Sequence, residues 1–165
     1  MDKHIFLIGM MGCGKSTVGR RLSTLLSCAF TDLDDAIEAH EGRSIPEIFE
    51  SDGEAAFRAL EREAVEEAAR SSGAIIATGG GVAIDPRNVN ALRQNGRLFF
   101  LDRPLEKLNV TPDRPLSRSS IALKQRFSER YPIYTAVCDA RIPVIGMPED
   151  VAAQVLGAWR HKEAQ

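Results

Sequence analysis

The sequence predicts an α/β fold in which helices flank a five-stranded parallel sheet. Five short apolar runs are bounded by Gly, Asp or Pro, and segments with helical periodicity separate them. The runs are apolar at nearly every position, which is typical of parallel strands buried on both faces. Strands that alternate with helices form a doubly wound layer structure. The predicted strands are 4–9, 28–34, 74–80, 97–102 and 140–145.

The segments between the strands carry the signals of helix ends. Pro86 and Pro148 stand where a first helical turn accepts proline, and acidic residues lie beside both of them. The predicted helices are 16–27, 35–41, 46–51, 54–72, 86–95, 120–137 and 148–162. Residues 103–119 differ from these, because they hold three prolines and four basic residues with little apolar periodicity. A loop of this length in a compact domain is often a lid or a binding element.

Composition limits the class of protein. With 165 residues, 44% hydrophobic and 27% charged, the chain suits one globular domain over 1–165. A net charge of -2 provides no general attraction for nucleic acid or anionic membranes, so we expect neither as a partner. The three widely spaced cysteines predict neither disulfides nor a zinc site. Without a secretory signal or a run of about 18 apolar residues, the expected location is cytoplasmic.

The strongest motif is GMMGCGKST, Gly9–Thr17, which matches G-x-x-x-x-G-K-[ST] between an apolar strand and a helix. Its glycines allow positive φ, so that backbone N–H groups can wrap a phosphate beside the positive end of the helix. Lys15 is expected to contact the β- and γ-phosphates, and Ser16 to ligate Mg²⁺. Cys13 occupies a free position as a small filler. The candidate nucleotide-binding residues here are Gly12, Cys13, Gly14, Lys15, Ser16 and Thr17.

The motif Gly9–Thr17 is a P-loop, which indicates that the protein binds a nucleotide but does not identify the reaction. Neither the N-K-x-D guanine motif nor a D-x-x-G phosphate sensor occurs in the sequence, which argues against a regulatory GTPase. A chain of 165 residues also leaves little room for motor or oligomeric ATPase machinery. The class that remains is a small kinase that phosphorylates a metabolite.

Three aspartates occupy four positions in the stretch FTDLDDAIE, at the predicted edge of the sheet that carries the P-loop. In an extended segment Asp32 and Asp34 share one face, whereas Asp35 points away. Asp35 and Glu38 resemble a capping pair. Two carboxylates beside a phosphate need a cation or a polar substrate between them. We therefore expect Asp32 to face Mg²⁺, Asp34 to face a substrate hydroxyl, and Asp35 to cap the next helix.

Four further blocks follow in order: EGRSIPEIFESDGEAAFRALE, ATGGG, DRPL and ERYPIY. Together with the P-loop and the aspartates, this set resembles the shikimate kinase family over nearly the whole chain. Gluconate kinases and nucleoside monophosphate kinases share the P-loop without the rest of the set. The resemblance implies a three-layer P-loop kinase fold, with a substrate-binding region at about 32–61 and a lid at about 103–119.

The activity implied by the resemblance is ATP-dependent phosphorylation of the 3-hydroxyl of shikimate, with Mg²⁺. The products would be ADP and shikimate 3-phosphate, on the route to chorismate and the aromatic amino acids. The enzyme is expected to be a monomer, and its only expected partner is the substrate shikimate. A kinase for another hydroxy acid, such as gluconate, is the nearest alternative. A nucleotide-dependent binding module without catalysis is the alternative from another class.

The resemblance also implies roles for individual residues. Arg58 and Arg130 match two arginines that hold the substrate carboxylate, and Glu61, one turn beyond Arg58 on the same helix face, steadies Arg58. The backbone N–H of Gly80, between Gly79 and Gly81, would contact the substrate, and three glycines in a row predict an unusual backbone path. The candidate catalytic residues are Lys15, Asp34 and Arg114, the last being the lid arginine. The candidate metal ligands are Ser16 and Asp32.

One part of the chain departs from the family pattern. Between Asp102 and Arg114 it is a few residues shorter than expected, and an arginine that packs on adenine has no clear counterpart. Lys107 is the nearest candidate, although a lysine does not stack as an arginine does.

Overall fold

The computed structural model describes residues 2–71, 73–108 and 120–163. Its five strands form one parallel sheet in the order β2-β3-β1-β4-β5, which confirms the predicted fold class. Each strand overlaps the apolar run that predicted it, and β1 is buried along its whole length. The strands are β1 (His4–Ile8), β2 (Phe30–Asp32), β3 (Ile75–Ala77), β4 (Gly96–Asp102) and β5 (Ala140–Pro143).

Helices connect the strands and lie on the faces of the sheet. They are α1 (Lys15–Leu26), α2 (Leu33–Glu41), α3 (Ile45–Arg70), α4 (Pro86–Asn95), α5 (Ser120–Val137) and α6 (Pro148–Glu163), with short 3-10 turns at Val82–Ile84 and Leu105–Lys107. α3 is interrupted at Gly53, where φ is 84° and ψ is 173°, so the two predicted helices 46–51 and 54–72 meet at a kink. No helix in the described ranges combines the length and apolarity that a membrane span requires.

The hydrophobic core has two parts. The larger part surrounds the sheet and includes the central strands β1 and β4. A smaller cluster of Ile37, Ile48 and Phe57 packs α2 against α3, with Phe49 at its margin. The rings of Phe49 and Phe57 are 4.9 Å apart between centroids. The α2–α3 pair therefore has its own apolar contacts, and these hold the helix that carries Arg58 and Glu61.

The start of α2 corrects the prediction for the acidic cluster. Asp32 is the N-cap, and its Oδ1 accepts a hydrogen bond of 3.0 Å from the backbone N–H of Asp34. The helix begins at Leu33, so Asp34 lies in its first turn and not in an extended strand. The predicted capping role of Asp35 is wrong, because Asp35 is the third residue of the helix and Asp32 occupies the N-cap position. Asp32 caps instead because its backbone is still extended, as an N-cap requires.

Candidate active site

The loop between β1 and α1 adopts the backbone conformation that its glycines predict. Gly9, Gly12 and Gly14 have φ values of 144°, 74° and 103°, in the region that side chains rarely enter. Gly9 also lacks space for a side chain, since a Cβ there would lie 2.8 Å from the carbonyl oxygen of Leu101. The loop ends at the N-terminus of α1, where unpaired N–H groups and the helix dipole favour an anion.

Lys15 is held inside this loop by backbone carbonyls. Its Nζ donates hydrogen bonds of 2.9 Å to the carbonyl oxygens of Gly9 and Met10, and the residue is only 7% exposed. The sulfur of Cys13 lies 3.8 Å from Nζ and is itself buried. The ammonium group is therefore fixed beside the glycines that would surround a phosphate.

Ser16 and Asp32 meet at the mouth of the P-loop. The Ser16 hydroxyl donates a hydrogen bond to Oδ2 of Asp32. A hydroxyl and a carboxylate are hard oxygen ligands, which suit Mg²⁺. Among the described residues there is no group of three or more His, Cys, Asp or Glu side chains that could hold a metal. Mg²⁺ bound here would therefore take its other ligands from phosphate oxygens and water, as it does in other phosphoryl-transfer sites.

Arg58 and Glu61 form the ion pair that their spacing predicts. Nη1 of Arg58 donates a hydrogen bond of 2.8 Å to Oε1 of Glu61, which confirms that the two side chains share one face of α3. Glu61 is only 2% exposed, and burial raises the pKa of its carboxyl. Arg58 opposes that rise, whereas the nearby carboxylate of Asp34 adds to it. The pair thus places a buried acid and a half-buried cation beside Asp34.

Gly79 packs directly against two of these acids. A Cβ at Gly79 would lie 2.8 Å from Oδ1 of Asp34 and 3.0 Å from Oε2 of Glu61. These separations place both carboxylates against the same point of the loop that follows β3. The structure thus brings Asp34 and Glu61 together, although they lie on different helices.

The next two glycines approach the arginines in the same way. A Cβ at Gly80 would lie 3.2 Å from Nη1 of Arg130, and one at Gly81 would lie 2.7 Å from Cζ of Arg58. None of the glycines at 79–81 has a φ in the left-handed region. The prediction that they serve an unusual backbone path is therefore wrong. The glycines instead leave room for neighbouring side chains, which occupy the space that a Cβ would fill.

Tyr134 is a site residue that the sequence reasoning missed. Its hydroxyl donates a hydrogen bond of 2.5 Å to the carbonyl oxygen of Gly80, and the side chain is fully buried. Burial raises the pKa of this phenol well above its ordinary range, with Arg130 opposing the rise. Tyr134 follows Arg130 by one turn of α5, and this spacing within ERYPIY was the available signal. The tyrosine anchors the glycine loop to the helix that carries Arg130.

A cavity of about 430 Å³ opens beside the P-loop on the side of β4 and β5. Lys107, the predicted adenine-side residue, lines this cavity together with Arg103, a cation that the sequence reasoning did not consider. The loop before α6 forms the opposite wall through residues such as Val144 and Ile145. Arg114, the predicted lid arginine, lies outside the described residues.

The parallel sheet, the P-loop and the adjoining pocket of acids and arginines define a small-metabolite kinase of the P-loop class. The profile of the shikimate kinase family matches residues 11–159 of the sequence. The chain belongs to the shikimate kinase family.

Individual relatives agree with this assignment. A shikimate kinase of Persephonella marina is 37% identical over 164 residues, which cover 96% of this chain and 99% of that protein. The structure of a shikimate kinase from Acinetobacter baumannii in complex with shikimate has a TM-score of 0.94 and 32% identity, over 100% of this chain and 97% of that one. A gluconokinase from Sinorhizobium meliloti has a TM-score of 0.59 over 97% of this chain and 93% of its own, but at 12% identity it shares the fold alone.

The buried Glu61 predicts a pH dependence of stability. Because its pKa is raised in the folded protein, the folded state holds this proton more tightly than the unfolded state does. The resulting stabilisation is present at low pH and is lost as pH rises through the raised pKa. We therefore expect the melting temperature of the wild type, relative to Glu61→Gln, to fall as the pH rises above about 4, the ordinary pKa range of a glutamate side chain. The exposed Glu63 on the same helix supplies the control Glu63→Gln, and a pH-independent difference for Glu61→Gln would contradict the prediction.

Proposed function

We propose that this protein transfers the γ-phosphoryl group of ATP to the 3-hydroxyl of shikimate, with ADP and shikimate 3-phosphate as products. The observation that carries the proposal is the glycine loop at 79–81, which packs at once against two carboxylates and two arginines. Shikimate is a small ring with one carboxylate and three hydroxyls, so its site needs cations at one end and acceptors at the other. Membership of the shikimate kinase family supports this choice of substrate.

Arg58 and Arg130 would bind the substrate carboxylate. Arg130 is 5% exposed and Arg58 28%, so both guanidinium groups act in partly or fully desolvated surroundings, where an ion pair is strongest. They approach neighbouring glycines of one loop from α5 and α3 respectively. Tyr134 holds the Gly80 carbonyl, and the backbone N–H of Gly80 would contact the substrate.

Asp34 would orient the 3-hydroxyl and accept its proton. As the new bond forms between the 3-oxygen and phosphorus, the bond from phosphorus to the leaving oxygen of ADP breaks. Lys15 and the P-loop offset the charge that develops on the transferring group. Ser16 and Asp32 would hold Mg²⁺, which would supply neutralisation of phosphate charge. Positioning and electrostatics thus account for most of the catalysis.

The remaining assignments complete the proposal. Arg114 would reach the phosphates from the lid at about 103–119, and Gly12–Thr17 would hold the triphosphate. We assign the chain as one kinase domain over 1–165, acting as a cytoplasmic monomer without a nucleic-acid partner. The net charge of -2 supports the absence of a nucleic-acid partner, and the three cysteines, all in described positions, form no disulfide, which suits a reducing compartment.

A coupled ADP-release assay across a panel of hydroxy acids tests the proposed function. We expect ADP release that depends on shikimate, and no comparable release with gluconate. Activity with gluconate but not with shikimate would overturn the substrate assignment. ATP binding without ADP release on any acid would instead identify a binding module.

The crowding at Gly81 predicts a selective effect of Gly81→Ala. The added methyl group would displace the guanidinium of Arg58, since a long side chain yields more easily than the loop. We expect the KM for shikimate to rise about tenfold, as for one lost charged hydrogen bond, while the KM for ATP stays unchanged. Gly157→Ala is the matched control, because a Cβ at Gly157 meets nothing within 4 Å in the described structure. Equal KM values for shikimate in wild type and Gly81→Ala would contradict the prediction that the added methyl group displaces Arg58.

A further inference from the structure

A third arginine, Arg126, lies next to the substrate pocket without an assigned role. It precedes Arg130 by four residues on α5, so the two side chains share one face of the helix. Its Nη1 is shielded from solvent and has no hydrogen-bond partner among the described residues. A buried donor on a cation without a partner is costly, and such groups are normally paired.

The surroundings of Arg126 locate it on the carboxylate side of the pocket. Burial lowers the pKa of Arg126, and the cations of Arg130 and Arg58 lower it further, with Glu54 and Glu129 opposing them. These charged neighbours belong to α3 and α5, the two helices that carry Arg58 and Arg130, the proposed carboxylate clamp. Arg126 therefore contributes a third positive charge to the space between those helices.

The two neighbouring acids are hydrogen bonded to other residues. Oε1 of Glu129 accepts a hydrogen bond of 3.0 Å from Gln125, one turn earlier on the exposed face of α5. Oε1 of Glu54 lies 3.5 Å from Nη2 of Arg58, at the limit of a hydrogen bond. Three arginines thus face this region, and a ligand with negative charge would satisfy the buried donor that the acids leave unpaired.

We propose that Arg126 is a third arginine of the substrate site and donates to the carboxylate of shikimate beside Arg130. The proposal rests on the proposed function. A carboxylate has about four lone-pair positions, so it can accept hydrogen bonds from three guanidinium groups. Arg126 would then raise affinity for the acid without touching the nucleotide, because its charged neighbours lie on the substrate side.

Calorimetric binding of shikimate and of its neutral methyl ester tests this role. For Arg126→Gln we expect about tenfold weaker binding of shikimate, the effect of one charged hydrogen bond, and unchanged binding of ATP. Binding of the methyl ester should be nearly the same in wild type and variant, because the ester carries no charge for Arg126 to meet. Arg126→Lys should retain part of the affinity for the acid. Lys124→Gln, which removes an exposed cation two residues away, is the matched control and should bind shikimate as the wild type does.

Each alternative outcome is distinguishable from the expected one. Equal shikimate affinity in wild type and Arg126→Gln overturns the role of Arg126. Equal loss of the acid and of the ester also overturns it, because a purely structural effect would not depend on the ligand's charge. If Arg126→Gln does not fold, the affinities of Arg126→Lys for shikimate and for the methyl ester are compared with those of the wild type. A loss of affinity for the acid alone then supports the role of Arg126, and an equal loss for both ligands, or none, overturns it. Failure of the wild type itself to bind shikimate would instead refute the proposed function, and this inference with it.

Discussion

Asp34→Asn is expected to lower kcat by about 10²- to 10⁴-fold, the usual contribution of a general base, with little change in ATP affinity. Asparagine keeps nearly the same shape but cannot accept the proton of the substrate hydroxyl. The carboxylate of Asp34 lies against Gly79, on the proposed substrate side of the site, whereas Lys15 and the P-loop would hold the nucleotide. The loss should therefore appear in the phosphoryl-transfer step.

Rapid-quench turnover with calorimetric ATP binding would measure the two effects separately. Asp35→Asn is the matched control, because it makes the same change one residue further along, at an exposed side chain near Arg20. The control should retain nearly full activity. If Asp34→Asn lost its nucleotide affinity while bound shikimate still turned over, the role assigned to Asp34 would be wrong.

Removing either arginine of the clamp should raise the KM for shikimate by at least about 30-fold, because truncating one partner of a buried charge pair costs about 2–5 kcal/mol. We expect the larger effect for Arg130→Ala, since Arg130 is the more deeply buried of the two. Arg58→Ala has an additional consequence, because it leaves the carboxylate of Glu61 buried without its 2.8 Å partner. Arg58→Lys would restore the charge without the planar fork and should recover only part of the loss.

Steady-state kinetics with each substrate varied in turn would test this pair of variants. The KM for ATP should stay near the wild-type value in both, because the P-loop is unchanged. Arg160→Ala, at an exposed position on α6, is the control for a simple loss of positive charge. A rise in the KM for ATP that matched the rise for shikimate would indicate a general distortion of the site and would contradict the clamp.

The glycine loop explains why the pocket tolerates so many charges. Gly79, Gly80 and Gly81 let two acids and two arginines approach one short segment, and Arg58 lies 2.8 Å from Glu61 within this group. Glu61 illustrates the balance, since burial and Asp34 raise its pKa while Arg58 and Arg130 lower it. Substrate binding would change this balance by adding a carboxylate beside the arginines.

Local patterns alone determined much of this protein. The apolar runs predicted the five strands, and the glycine spacing of the P-loop predicted positive φ at Gly9, Gly12 and Gly14. The three-residue spacing of Arg58 and Glu61 predicted their ion pair. Each of these features depends on residues close together in the chain, where helical or extended geometry sets which side chains meet. The order of the motifs was also sufficient to indicate the family.

The tertiary structure alone decided which distant residues share the site. Asp32, and not Asp35, caps α2 because the end of β2 sets the path of the backbone, which the acidic pattern does not encode. The glycines at 79–81 are needed for space, since side chains from α2, α3 and α5 converge on them. Tyr134 contacts this loop for the same reason, because α5 lies beside it in the assembled fold. Spacing along a chain defines neighbours within one element, whereas contacts between elements depend on how the whole core packs.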